Sequence, residues 1–294
     1  MKIFYHYFLA LRPHQWLKNF LLFIPLIATH QINNEKIFLS VLMFISFSFV
    51  ASSVYIFNDL IDIAADKTHP RKKLRPFASK KIATNHGKLF GLLVLFFGIT
   101  FGYYFVSKLF VKLILAYFII STLYSFYFKQ LIVIDICILA VLYTMRIIIG
   151  GLVLNIELSV WLLVFSLFFF FSLAAIKRQA ELVDLLKRKK FKILNRGYQT
   201  SDLPVISASA LTAGYISVLI MAFYVNSPEV AKLYSQPKFL WGICLVLLFW
   251  ITRISIITQR GNMHDDPIVF AAKDLFSHLS LFLIIIILIM GYLF

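Results

Sequence analysis

Apolar residues in this chain come in long runs, not in alternation. Nine runs stand out, near residues 16–32, 37–57, 88–106, 109–128, 131–153, 160–176, 204–225, 238–258 and 275–294. Each approaches the ~20 residues that an α-helix needs to cross a bilayer. None divides into the short alternating segments of a membrane barrel. The pattern predicts an all-α integral membrane protein, a bundle of about nine transmembrane helices forming one domain over residues 1–294. Pro25 and the Gly150–Gly151 pair fall inside runs, where they predict a kink and close helix packing.

The polar stretches between the runs carry the charge. Lys67, Arg71, Lys72, Lys73, Arg75, Lys80 and Lys81 lie between the second and third runs. Lys177, Arg178, Lys187 to Lys190, Lys192 and Arg196 lie between the sixth and seventh, and Arg260 and Lys273 between the eighth and ninth. The alternate connections, such as "NNEK", "SK" and "NIELS", are short and poor in cations. The positive-inside rule then predicts a cytoplasmic N-terminus and cytoplasmic basic loops in an inner membrane. The net charge of +16 thus reads as orientation plus anionic ligands. Nucleic acid is not expected as a partner, because no basic soluble module is present to bind it. The two cysteines, Cys137 and Cys244, sit in apolar runs and predict neither a disulfide nor a metal cluster. The first residues lack the h-region and cleavage site of a signal peptide.

One polar stretch is chemically unusual. "NDLIDIAAD", residues 58–66, places Asn58, Asp59, Asp62 and Asp66 at spacings of three and four, on one helix face at the end of an apolar run. Like charges so spaced repel, and more so beside a membrane. Two compensations are open: pairing with Lys67, Arg71 and Lys72, or a divalent cation. Hard carboxylate oxygens suit Mg²⁺, which favours one or two carboxylates plus substrate phosphates.

With "DKTHPRKKLRP" following, this stretch resembles the first aspartate-rich motif of the UbiA-type prenyltransferase superfamily. The resemblance implies an intramembrane transferase whose Mg²⁺, on Asp59, Asp62 and Asp66, holds a diphosphate in a cavity opening to the cytosol. Where the superfamily has a second acidic motif, this chain reads "SLAAIKRQAELVDLLKRKK", with Lys177 in place of the first aspartate, then Arg178, Glu181 and Asp184. That departure, with "RPHQWLKN" at 12–19 and "DDPIVFAAKD" at 265–274, is similar to the branch that makes polyprenyl-phosphate (decaprenyl-phosphate-like) 5-phosphoribose. The resemblance implies transfer of 5-phosphoribose from phosphoribosyl diphosphate (PRPP) to a polyprenyl phosphate, as a step in cell-envelope synthesis. Two anionic substrates in one pocket require extra fixed cations, and the basic residues beside both motifs answer that need.

The expected roles follow. Asp59, Asp62, Lys177 and Glu181 are the candidate catalytic residues. Asn58, Lys73, Arg75, Arg178 and Asp184 are candidate substrate contacts, joined by Lys18 in the opening motif, Tyr124 and Lys129 in "YSFYFKQLIVID", and Arg146 within the fifth run. An intramembrane arginine is costly and should face a partner. Asp135 is placed to pair with Lys129. Asp265, Asp266 and Asp274 either fix the last loop or bind ribose hydroxyls. Two other functions remain open: a conventional prenyltransferase using a prenyl diphosphate and an aromatic acceptor, and a transporter of phosphorylated lipid or anion. Broken helices and internal repeats would mark the transporter.

Overall fold

The computed structural model describes residues 2–68, 71–191, 196–263 and 266–293. Among them the chain is helical throughout, with no strand. Eight helices are long and apolar enough to cross a membrane: α3 (Asn34–Ile61), α5 (Thr84–Phe105), α6 (Lys108–Phe126), α7 (Ile134–Val153), α8 (Val160–Lys187), α9 (Leu203–Val225), α11 (Trp241–Gln259) and α13 (Leu275–Leu293). Shorter helices are α1 (Lys2–Leu11), α2 (Ile24–Ala28), α4 (Ile63–Thr68), α10 (Pro228–Leu233) and α12 (Pro267–Ala271). The protein is a multi-pass membrane protein.

The first apolar run differs from a regular span. It folds as an eleven-residue 3₁₀ helix, Pro13–Phe23, followed by α2. The cause is Pro25. In an α-helix its ring would collide with the carbonyl of Leu21, and it has no N–H to donate there. That carbonyl instead accepts the Ile24 N–H, three residues on. A 3₁₀ helix rises ~2.0 Å per residue against ~1.5 Å in an α-helix, so residues 13–28 reach about 30 Å, the thickness of the hydrocarbon core.

Local chemistry sets the other helix ends. The side chain of Asn33 accepts from Lys36 N (2.8 Å), Ser107 from Phe110 N (3.0 Å) and Ser159 from Trp161 N (3.2 Å). Asp274 accepts from both Ser277 N and Ser277 Oγ (2.8 Å each) at the start of α13 and takes a two-armed ion pair from Arg253 (2.7 and 2.9 Å).

The chain forms two compact units. The first comprises residues 1–129 and 145–157, the second residues 130–144 and 158–294. In the first unit α3 packs on α5 at backbone range. A Cβ on Gly98 would stand 2.8 Å from Val50 Cγ2, and Ser46 Oγ donates to the Gly98 carbonyl (2.6 Å). Such small-residue contacts replace the hydrophobic effect, which lipid tails cannot supply between helices. At Gly150 the approach is closer, for a Cβ there would lie 2.2 Å from the Leu22 carbonyl oxygen. In the second unit α8 packs on α9, with Ser172 Oγ donating to Ala210 O (2.6 Å), and α9 packs on α11 around Val218, Cys244, Leu247 and Ile251.

Candidate functional site

In the first unit the acidic stripe forms where α3 ends. Asp62 terminates α3 (φ −88°, ψ 8°), yet Asp62 N still donates to Asn58 O (2.9 Å) and Asp66 N to Asp62 O (2.8 Å). The helical register therefore continues across the break into α4. Asp59 and Asp66, two turns apart, converge on one cation. Arg75 Nη1 donates to Asp59 Oδ1 (3.0 Å) and to Asp66 Oδ2 (2.7 Å). Arg12 also binds Asp59 Oδ1. Asp62 turns to a different partner, accepting from Lys129 Nζ (2.7 Å) and from Asn58 Nδ2 (3.2 Å).

Asp59 and Asp66 are almost fully buried, at 2% and 3% exposure. Burial pushes the Asp66 carboxyl above its ordinary value, and the Arg75 charge pulls against that shift. Arg12 holds its contact from a left-handed backbone conformation (φ 53°, ψ 58°), with its guanidinium over the Tyr55 ring (5.6 Å). Lys73 is exposed, and Tyr124 is half-buried.

Deeper in the same unit Lys18, Asn19 and Arg146 are buried. Arg146 donates from Nε to Asn19 Oδ1 (3.1 Å) and from Nη2 to the Tyr117 hydroxyl (2.7 Å), and lies over the rings of Phe47 and Tyr117 (5.2 and 4.8 Å). Asn19 in turn donates to Ser48 Oγ (3.0 Å). The expected intramembrane arginine therefore does face the protein, where it ties the 3₁₀ segment to α3, α6 and α7.

The second unit holds a separate polar cluster. Asp135, Arg178 and Tyr198 are each wholly enclosed. Arg178 Nη2 donates to Asp135 Oδ2 (2.5 Å), and the Tyr198 hydroxyl donates to Asp135 Oδ1 (2.5 Å) while accepting from Val133 N (2.8 Å). Arg178 Nη1 binds Glu181, and Arg196 approaches Glu181 (3.4 Å) and Asp135 (3.6 Å). Burial, and then the Asp135 hydrogen bond, raise the Tyr198 phenol well above its ordinary value. Lys177 is partly exposed and pairs with Asp266 Oδ2 (3.1 Å), while Asp184 pairs with Arg188 (2.5 Å). Asp135 thus takes Arg178 and Tyr198 as partners, not Lys129 as the sequence suggested; Lys129 is committed to Asp62. Asp265 lies outside the described residues.

Sequence reasoning put Asp59, Asp66 and Arg75 in one site, but named Lys67, Arg71 and Lys72 as the acids' ion-pair partners where the structure shows Arg75 and Arg12, and it gave Arg12, Arg196 and Tyr198 no role. A signal existed for Arg12, which stands between a helix and Pro13. None marked Tyr198, which meets Asp135 across 63 positions.

Among the described residues no three carboxylates, histidines or cysteines gather into a metal-ligand cluster. The pair Asp59 and Asp66 nevertheless fits a single hard cation. Their oxygens bracket one point, held here by an Arg75 nitrogen as stand-in, and a site of two carboxylates completed by substrate phosphates is the usual Mg²⁺ arrangement.

The site is thus a pair of buried carboxylates where a membrane-spanning helix ends. Residues 19–283 match the UbiA prenyltransferase family, and the chain belongs to that family. It is 34% identical over 266 residues, 90% of its length, to the uncharacterized protein y4nM of Sinorhizobium fredii and to the nodulation protein NoeC of Azorhizobium caulinodans. The match covers 86% of NoeC, but the chain spans only about half the length of y4nM (51%). It is 31% identical over 273 residues to the decaprenyl-phosphate phosphoribosyltransferase of Mycolicibacterium smegmatis, covering 90% of this chain and 85% of that one. In fold it is similar to a UbiA homolog from Archaeoglobus fulgidus bound to GPP and Mg²⁺, with a TM-score of 0.70, 17% identity, and 96% and 99% of the two chains covered.

Proposed function

We propose that this protein transfers 5-phosphoribose from PRPP to a polyprenyl phosphate and releases diphosphate, in an Mg²⁺-dependent reaction at the cytosolic face of an inner membrane. The observation that carries the reading is the content of α8. Its acids are engaged by arginines, Glu181 by Arg178 and Arg196, and Asp184 by Arg188. The cation Lys177 stands where other family members place an acid of a second metal site. That change suits two phosphorylated substrates better than a neutral acceptor. The likeness to the M. smegmatis relative supports the same choice, since it extends over 85% of that chain. A single transferase domain is supported by the family match, which runs through both units. The basic loops support a cytoplasmic N-terminus.

Asp59 and Asp66, with Asp62 one turn from each, would hold the Mg²⁺, which when bound neutralises charge on the departing diphosphate. Arg75 and Lys73 bind phosphate oxygens beside that cluster, Arg12 keeps Asp59 in place, and Asn58 and Lys129 do the same for Asp62. Lys177 orients a phosphate group, and Glu181, fixed by Arg178, accepts from a ribose hydroxyl. The bond from C1 to the diphosphate oxygen breaks and both electrons leave with the diphosphate, so C1 gains oxocarbenium character. A phosphate oxygen of the lipid then bonds to C1. That oxygen is already anionic at neutral pH, so no protein group has to remove a proton.

Membranes containing the protein, supplied with Mg²⁺, are given either PRPP with polyprenyl phosphates of several lengths or a prenyl diphosphate with 4-hydroxybenzoate. Product only from the first pair is expected. Product only from the second would replace this reading with conventional prenyl transfer, the activity that the family's name describes.

A further inference from the structure

The carboxylates of the first unit are already answered by fixed cations. Arg12 and Arg75 share Asp59 Oδ1, Arg75 also holds Asp66, and Lys129 holds Asp62. Three carboxylates thus face three cations in direct contact, which leaves little net negative charge to attract a bare divalent ion. To enter between Asp59 and Asp66, such an ion must expel Arg75 Nη1. The expelled guanidinium would then sit beside the incoming positive charge with no anion to receive it, a costly state for a partly buried charge.

A metal–diphosphate complex changes that balance, because it brings the anion that the guanidinium needs. Arg75 is suited to the exchange. Its side chain is 24% exposed, against 2% and 5% for those of Asp59 and Asp66. Its backbone is anchored: Ser79 N and Ser79 Oγ both donate to the Arg75 carbonyl (2.9 and 2.8 Å), and Pro76 follows directly. The exchange is therefore a rotation of one side chain over a fixed backbone. A guanidinium fork matches phosphate oxygens as well as it matches carboxylates.

Resting on the diphosphate site proposed above, we infer that the divalent ion enters together with its diphosphate, and that Arg75 passes from Asp59 and Asp66 to the phosphates as it arrives. Arg75 is thus the counter-ion of these carboxylates before the diphosphate arrives and a phosphate ligand afterwards. Arg12 and Lys129 stay on Asp59 and Asp62 and keep those carboxylates in register throughout.

The test needs no turnover. Mn²⁺ binding to the purified full chain in micelles is followed by electron paramagnetic resonance, with Mn²⁺ alone and with inorganic diphosphate. Diphosphate should raise the Mn²⁺ affinity by about tenfold or more, and Mn²⁺ should raise diphosphate affinity by the same factor, since coupling is reciprocal. Arg75→Gln should bind Mn²⁺ alone more tightly than the wild type does, with the coupling to diphosphate reduced. Equal Mn²⁺ affinity with and without diphosphate in the wild type overturns the inference by itself, even if the variant fails to fold. So does unchanged Mn²⁺ affinity in a folded Arg75→Gln protein. If Mn²⁺ and diphosphate bind neither separately nor together, the diphosphate site is wrong and the inference falls with it.

Discussion

Replacing Tyr198 by Phe should expose how much the enclosed cluster of the second unit contributes. The substitution removes one oxygen and keeps the ring that lies beneath Arg178 (5.4 Å from the guanidinium carbon). Two hydrogen bonds disappear. The bond to Asp135 Oδ1, at 2.5 Å and fully buried, reaches a charged group and contributes about 1.5–3 kcal/mol. The bond from Val133 N matters less, because it joins two neutral groups. The expected loss is thus about 2–3 kcal/mol. Asp135→Ala should cost more, about 3–5 kcal/mol, because it removes one of the two carboxylates paired with the buried Arg178 charge. Reversible unfolding in mixed micelles by SDS titration measures both. A further signature is the pH dependence. The native phenol is raised, so its contribution is fully present below the ordinary tyrosine value of about 10 and is lost as pH climbs through the native value. Wild type and Tyr198→Phe should therefore converge in strong base. A Tyr198→Phe protein within about 0.5 kcal/mol of wild type at neutral pH, the range of an indifferent surface change, would refute the reasoning.

Three further outcomes are expected. Gly150→Ala should lower stability by about 1–3 kcal/mol or more through the clash with the Leu22 carbonyl, while Gly291→Ala, whose Cβ would meet nothing nearer than 3.4 Å, should be tolerated; equal effects in the same unfolding assay would contradict the packing. Asp62→Ala should reduce turnover by about 100-fold or more at normal expression in membranes, and retained turnover would remove Asp62 from the site. Lys177→Ala should raise the apparent KM for a phosphorylated substrate by about tenfold, the loss of one charge-assisted contact; unchanged KM and kcat would show that Lys177 serves only Asp266.

Periodicity and run length made the bundle legible, because each span carries its own signal in some twenty consecutive residues. The exception was the first run, which folds as a 3₁₀ helix joined to a short α-helix. The acidic stripe was legible for the same local reason: Asn58, Asp59, Asp62 and Asp66 lie within three turns. Their partners were not. Arg12 reaches Asp59 across 47 positions and Lys129 reaches Asp62 across 67, and nothing in the spacing of a lone basic residue says which acid it will meet. Asp135 shows the hazard. Six residues from Lys129, it looked like a local pair, but it is drawn instead to an enclosed arginine and a tyrosine that composition cannot single out. Lys187 makes a related point, for this cation of the basic loop donates to the carbonyls of Arg260 and Gly261 (2.9 and 3.3 Å) at the end of α11.

The central claim, that the diphosphate leaves while phosphoribose moves to lipid, is tested most directly by the fate of two labels. Membranes are supplied with Mg²⁺, a polyprenyl phosphate and PRPP labelled either at the 5-phosphate or at the terminal phosphate of the diphosphate. The 5-phosphate label should appear in the organic extract as lipid-linked phosphoribose, and the terminal label should remain in the aqueous phase as free diphosphate. A terminal label recovered in lipid, or a 5-phosphate label that never leaves the aqueous phase, would contradict it.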